Sequence, residues 1–135
     1  MIEINNLTNF SVDKKVFSTV AKKVLSGENR GTENISLAFV GREEIKKINK
    51  KFRRKNKPTD VLAFELKEKD LLGEILICPD VVSENAKKYK NTYKGELMKV
   101  FVHGILHLLG YDHEKSKKQA EEMEKKQEKY LSKIK

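Results

Sequence analysis

The stretch HGILHLLGYDH, residues 103–113, contains all three histidines of the 135-residue chain. His103 and His107 are four positions apart, and on an α-helix this spacing places two side chains on one face, with Cβ atoms about 5–6 Å apart. Gly110 stands where a left-handed residue would end the helix, so the following turn would bring His113 towards the other two imidazoles. The pattern therefore predicts a three-histidine metal site, with zinc as the expected ion.

Three protein ligands would leave one position of a tetrahedral ion open, which is typical of catalytic rather than structural zinc sites. Cys78 has no cysteine partner with which to build a structural site. A metal with an open position is a Lewis acid, so we expect it to act on the substrate directly. Imidazole also binds nickel, cobalt and copper, so another divalent metal is an alternative to zinc.

The spacing H-x-x-x-H-x-x-G-x-x-H also occurs in the metzincin peptidases, in which a glutamate directly after the first histidine is the general base. This chain has Gly104 there, and glycine has no side chain that could accept a proton. A zincin-like metallopeptidase is therefore an alternative that needs a carboxylate from elsewhere. Another alternative is a non-catalytic binding factor that carries a metal only for stability.

A strongly basic segment, KKINKKFRRKNK, occupies residues 46–57 and contains eight cations and no acid. Such a block can neutralise several phosphates, and arginine can bind phosphate oxygens through two hydrogen bonds. Phe52 continues the helical spacing of Ile45 and Ile48, which favours a core position over an exposed stacking surface. The candidate RNA-binding residues are Lys50, Lys51, Arg53, Arg54, Lys55 and Lys57.

The composition of the whole chain favours an anionic partner and a reducing compartment. Lysine and arginine number 29 against 20 acids, a net charge of +9 that attracts polyanions such as nucleic acid. The single cysteine cannot form an internal disulfide. Neither a signal peptide nor an apolar run of about 18 residues is visible. We therefore expect a cytoplasmic protein with no membrane partner.

The elements that must position these residues can be predicted from hydrophobic periodicity. Strands are predicted at residues 2–6, 34–40, 61–66 and 71–78. Helices are predicted from Ser11 to Gly27, over 42–52 and 79–90, over a buried stretch at 95–109, and from Ser116 to the end, the last with no assigned chemistry. The order indicates an α+β fold, a single four-stranded sheet covered by about five helices, with a zincin-like three-histidine site at the end of the buried helix.

Three further stretches carry a family resemblance. NKKFRRKNKPTDVLAFE (residues 49–65), LLGEILIC (71–78) and AEEME in the terminal helix, together with HGILHLLGYDH, resemble the signatures of the YbeY family, metal-dependent endoribonucleases of ribosomal RNA maturation. The chain departs from the family pattern at Ala63, Glu65 and Glu74, none of which is a candidate ligand. The resemblance implies one metallohydrolase domain over residues 1–135.

The resemblance also implies roles for particular residues. One zinc ion would be bound by His103, His107 and His113, and Arg53 matches the arginine of the family's active site. We therefore take Arg53 and His103 as the candidate catalytic residues. The implied partners are ribosomal RNA and the small ribosomal subunit, and the implied reaction is maturation of the 3′ end of small-subunit (16S) rRNA, together with ribosome quality control.

Asp112 precedes the last histidine and has two interpretations. It could orient a metal ligand from outside the coordination shell, or it could accept backbone N–H groups in the tight turn, as aspartate commonly does. No residue stands out as a general base, so the sequence leaves open whether water or the RNA 2′-hydroxyl attacks.

Overall fold

The computed structural model describes residues 2–68, 71–112 and 114–134. Their elements follow the predicted order, and the α+β class is confirmed. The strands are β1 (Ile2–Asn6), β2 (Ile35–Phe39), β3 (Val61–Glu68) and β4 (Leu71–Ile77). The helices are α1 (Lys14–Gly27), α2 (Arg42–Arg53), α3 (Pro79–Lys88), α4 (Tyr93–Leu108) and α5 (Lys117–Ser132).

The four strands form one mixed sheet in the order β1-β2-β4-β3. The first three of these are mutually parallel, with Leu37 of β2 opposite Ile75 of β4. Parallel neighbours need a crossover connection, which α1 supplies between β1 and β2. β3 runs antiparallel to β4 at the edge of the sheet. This edge carries one wall of the cleft described below.

The sheet buries apolar residues on both faces because successive side chains of a strand point to opposite sides. Leu37, Ile75 and Ile77 are fully buried in the larger core, beneath α1 and α4. Phe17 joins the layers there, with its ring edge-on to those of Phe39 and Phe101 at centroid distances of 5.2 and 5.0 Å. The smaller cluster on the opposite face contains Ala38, Val40, Ile45, Leu62, Leu76 and Cys78.

The helix α4 is buried along most of its length, as its apolar sequence predicts. Thr92 caps its N-terminus by accepting a hydrogen bond from the backbone N–H of Gly95 at 2.9 Å. At its other end Gly110 has a φ of +103°, and its N–H donates to the carbonyl of His107 at 3.1 Å. The predicted glycine stop is therefore confirmed, and it fixes the end of the helix that bears His103 and His107.

Two glycines let α4 lie directly against the sheet. A Cβ at Gly73 of β4 would clash with the carbonyl oxygen of Phe64 and lie 2.5 Å from Cδ2 of Leu108. A Cβ at Gly104 would lie 3.1 Å from Cγ2 of Ile75. Gly73 has no room for a side chain, and a Cβ at Gly104 would be a tight contact, because the C-terminal half of α4 lies directly beside β3 and β4.

Two sequence-based expectations differ from the structure. The N-cap of α1 is Asp13, which accepts from the N–H of Val16 at 3.4 Å, rather than Ser11. Phe52 is 61 % exposed rather than buried. Within residues 2–68, 71–112 and 114–134, no helix combines the length and apolar character that crossing a bilayer requires.

Candidate active site

One cleft joins three elements that are distant in the sequence. It has a volume of about 470 Å³ and lies between the C-terminal end of α2, the first half of β3 and the second half of α4. It brings Arg53 to the same cavity as His103 and His107. Its other lining residues are Phe52, Val61, Leu62, Ala63, Phe64, Gly104, Asp112 and Glu114.

The ring of His103 is held by a residue of the terminal helix. Nδ1 of His103 lies 3.0 Å from Oε1 of Gln127, on α5. An amide oxygen only accepts hydrogen bonds, so the Nδ1–H of His103 is the donor. In the neutral imidazole this assigns Nε2 as the nitrogen that can bind a metal.

His107 carries the second sign of a metal site. Its Nδ1 is buried and has no hydrogen-bond partner among the residues that the structure describes. Burying a polar nitrogen without a partner costs free energy, so such an atom calls for a specific reason. Two half-buried imidazoles on successive turns of one helix, both lining the same cleft, fit a divalent metal as a donor set.

The third expected ligand, His113, lies outside the described residues. Within the described parts of the chain, no group of three or more His, Cys, Asp or Glu side chains is arranged to hold a metal. The three-histidine site and its zinc ion therefore stay predictions, supported by the placement of His103 and His107.

Arg53 lies opposite the histidines at the end of α2. Its guanidinium is 3.6 Å from the carboxylate of Glu114, and the side chains are 39 % and 64 % exposed. An ion pair of this length and exposure contributes little to stability. The guanidinium therefore has only a weak ion-pair partner, and an anionic substrate can replace it.

Asp112 serves the turn that follows α4. Its Oδ1 accepts a hydrogen bond from the backbone N–H of Glu114 at 2.8 Å. This is the turn-stabilising role that aspartate commonly has. Asp112 also lines the cleft, so its orientation of a metal ligand stays a prediction.

The same turn is anchored through Glu28, the residue that caps α1. The Glu28 carboxylate accepts hydrogen bonds from Tyr111 at 2.5 Å, from Lys126 at 3.1 Å and from Tyr130. Burial raises the pKa of Glu28, but these three donors outweigh it, and the pKa lies below its ordinary value. Burial and the Glu28 carboxylate raise the pKa of Tyr111 to about 12. Three separate segments are therefore joined next to the end of the histidine helix.

Most of the basic segment lies on the surface next to the cleft and is not part of its lining. Of residues 46–57, only Phe52 and Arg53 line the cavity. The predicted RNA-binding cations Lys50, Lys51, Arg54, Lys55 and Lys57 are all exposed on the adjoining surface. The buried side chain of Asn49 holds the segment's loop by donating from Nδ2 to the carbonyl of Lys57 at 2.9 Å.

Three residues of the site were not found from the sequence. Gln127 and Glu114 reach it from α5 and from the turn before α5, and no spacing rule connects them to His103 or Arg53. Phe52 had the periodicity of a core residue. The structure leaves it exposed at the end of α2, with its ring against that of Phe64.

Comparison with known proteins places the chain in a family. The family model described as "Endoribonuclease YbeY" matches residues 3–135. An endoribonuclease YbeY of Thermosipho melanesiensis is 46% identical over 126 residues, which are 93% of this chain and 91% of that protein. One of Thermotoga maritima is 47% identical over 104 residues, which are 77% and 69% of the two chains.

A solved structure agrees with this relationship. The solution structure of TM1509 from Thermotoga maritima superposes with a TM-score of 0.73 at 39% identity, covering 99% of this chain and 89% of that one. The family model extends over all the elements that form the cleft. The chain belongs to the endoribonuclease YbeY family.

Proposed function

We propose that this protein is a metal-dependent endoribonuclease whose active site is the cleft between α2, β3 and α4. The observation that carries the proposal is the meeting of Arg53 with His103 and His107 in one cavity. A guanidinium facing two imidazoles suits a phosphodiester, because both groups act on the same anion. The relatives named as endoribonucleases support RNA as the substrate.

The metal of the proposal is zinc, held by His103, His107 and His113, and bound zinc supplies Lewis-acid chemistry at the scissile phosphate. Gln127 keeps the Nδ1–H of His103 occupied and so fixes the ring. Arg53 binds the phosphate and stabilises the negative charge that develops there. To do so it exchanges the Glu114 carboxylate for a phosphate oxygen.

The proposed substrate is ribosomal RNA, with the 3′ end of small-subunit (16S) rRNA as the site of maturation and the small ribosomal subunit as the partner. The net charge of +9 and the exposed cations beside the cleft support a large polyanion over a small ligand. The proposed location is the cytoplasm, where ribosomes mature.

The zincin-like peptidase alternative meets a steric obstacle. Its general base would stand at position 104, where even a Cβ lies 3.1 Å from Ile75 at the α4–β4 contact. Any side chain there, glutamate included, would require the Ile75 side chain to shift by a few tenths of an ångström. The general base of a peptidase would therefore have to be a carboxylate from another part of the chain.

The deciding experiment compares the wild type with His107→Ala on a structured RNA and on an unfolded protein. We expect RNA cleavage that a chelator abolishes and that the substitution removes. RNA bound equally by both proteins but never cut would instead support the binding factor. Chelator-sensitive cleavage of the protein substrate would support the peptidase.

The role of Arg53 is tested against a matched cation outside the cavity. Arg53→Ala should lower kcat more than it raises KM, because the guanidinium acts on the reacting phosphate. Lys50→Ala removes the same charge from the adjoining surface and should mainly weaken binding. Equal losses of kcat in the two variants would show that Arg53 makes only a general electrostatic contact with RNA.

A further inference from the structure

Among the described residues of the cleft, Phe52 has an exposure that the proposed reaction does not explain. Its side chain is 61 % exposed at the end of α2, although phenylalanine is usually buried. It lines the same cavity as Arg53, the next residue along the chain, and the two histidines. An apolar ring is therefore presented to solvent beside the groups that would act on a phosphate.

The ring of Phe52 is supported from the protein side. It packs against the ring of Phe64 on β3, with centroids 5.5 Å apart and planes inclined by 65°. This edge-to-face contact is a favoured aromatic geometry and restricts the orientation of Phe52. A restricted ring loses little conformational entropy when a flat partner binds to it.

The surroundings of the ring are cationic. The ammonium of Lys51 lies 5.3 Å from the ring centroid. Lys51 is exposed, so a flat ligand can take its place over the ring and leave the ammonium to pair with an adjoining phosphate. An aromatic surface beside cations spaced along a chain is the arrangement with which proteins bind single-stranded nucleic acid.

We propose that Phe52 is a stacking platform for one unpaired nucleobase adjacent to the phosphate bound by Arg53. This inference rests on the proposed function and adds a base-binding subsite to it. Stacking needs a base that is not enclosed in a duplex, so the site selects RNA that is single-stranded at this position. It does not select a particular base, because every base offers a flat face.

The chain contains no tryptophan, so Phe52→Trp creates a single fluorescent reporter at the platform. The metal-loaded variant is titrated with a 12-nucleotide single strand of 2′-O-methyl RNA. We expect its fluorescence to be quenched by this strand, and not by an abasic strand of equal length and charge. The duplex of the same sequence should also leave the fluorescence unchanged.

Tyr89 offers a matched control. It is 60 % exposed, has the ammonium groups of Lys88 and Lys99 at 5.4 and 6.0 Å from its ring centroid, and lies outside the cleft lining. Tyr89→Trp should show no quenching by the base-containing strand beyond that by the abasic strand. Base-dependent quenching at both positions would indicate nonspecific contact and overturn the proposal.

Affinity measurements supply the second test. Phe52→Ala should weaken binding of the single strand by about 5- to 150-fold, as loss of one stacked base does, while Phe52→Tyr should retain it. Tyr89→Ala should bind like the wild type. For the abasic strand, Phe52→Ala and the wild type should bind equally.

The failure of this inference and that of the proposed function are distinguishable. If Phe52→Ala binds and cleaves RNA as well as the wild type, the stacking platform is wrong and the nuclease stands. If the wild type never cleaves RNA, the nuclease is wrong, and the quenching experiment still decides whether Phe52 binds a base.

Discussion

At the scale of single residues, a hydrogen bond to α5 orients the ring of His103. Gln127 accepts from Nδ1 of His103 at 3.0 Å and is half-buried on α5. Partners of this kind typically change metal affinity by about 10- to 100-fold. We therefore expect Gln127→Ala to lower zinc affinity by that factor, measured by competition with a chromophoric chelator.

The control for this variant is Glu128→Ala, which changes the exposed next residue of the same helix. It should leave zinc affinity within about twofold, since its exposed side chain lies outside the cleft lining. Unchanged affinity in Gln127→Ala would show that the hydrogen bond does not orient a ligand.

Glu114 is a second residue with a contact in the cleft that can be tested. Its carboxylate pairs with Arg53 at 3.6 Å in the cleft, where a phosphate must compete for the same guanidinium. Glu114→Gln should lower KM for RNA about two- to fivefold, as removal of one exposed like charge does. Glu121→Gln removes the same charge from the exposed surface of α5 and should change KM less. An increase in KM for Glu114→Gln would contradict the competition.

The histidine pair could be predicted because both rings belong to one helix, where spacing alone fixes the geometry. Arg53 was identified by resemblance, whereas its proximity to the histidines is a property of the folded chain. Gln127 could not be predicted, because its contact depends on how α5 packs against α4. The burial of Phe52 was predicted wrongly because helical periodicity indicates one face of α2 and does not show how far the folded chain covers that face.

At the scale of elements, the order of strands and helices was predictable because most of them show a clear apolar periodicity. The cap of α1 was not, because Ser11 and Asp13 are both good cap residues and only the backbone path selects Asp13. The close contact between α4 and β4 also escaped prediction. A glycine in a strand indicates a close approach without showing which element approaches.

Gly73 tests that contact. A Cβ there would clash with the carbonyl of Phe64 and lie 2.5 Å from Leu108, the last residue of α4. Gly73→Ala should therefore lower the free energy of unfolding by about 1–3 kcal/mol, as overpacking does. Urea unfolding followed by circular dichroism measures the change.

Gly41→Ala is the matched control, because a Cβ at Gly41 would meet nothing within 4 Å. Reduced entropy of the unfolded chain offsets the poorer N-cap there, so its stability should stay within about 0.5 kcal/mol of the wild type. Equal stability of the two variants would mean that α4 can move off the sheet without cost.

At the scale of the whole molecule, the Glu28 cluster connects the N-terminal half of the chain to its last helix. The carboxylate of Glu28 is 9 % exposed and accepts hydrogen bonds from Tyr111, Lys126 and Tyr130. Since Tyr111 belongs to the turn after α4, the cluster stabilises α1, α5 and the border of the candidate site together. Its loss should therefore weaken the fold as a unit.

The pH dependence of this contribution follows from the lowered pKa of Glu28. The folded state releases the proton more readily than the unfolded chain, whose glutamate pKa is about 4.3. The stabilisation is therefore complete above that pH and is lost as the pH falls through the lower pKa of the folded state. In Glu28→Gln the charge is absent at every pH. We therefore expect its free energy of unfolding to lie about 1–3 kcal/mol below that of the wild type at pH 7, and this difference to shrink steadily below pH ~4.

Urea unfolding between pH 3 and pH 7 measures this difference, with a chelator present so that metal release from the histidines does not contribute. Glu124→Gln, an exposed neutralisation on α5, should remain close to the wild type over the whole range. If the free energy of unfolding of Glu28→Gln is lower than that of the wild type by the same amount at pH 3 and pH 7, the packing of the cluster rather than its charge stabilises the fold. If this difference in free energy of unfolding shrinks in acid, it is the ionised carboxylate of Glu28 that joins α1 to α5 beside the cleft.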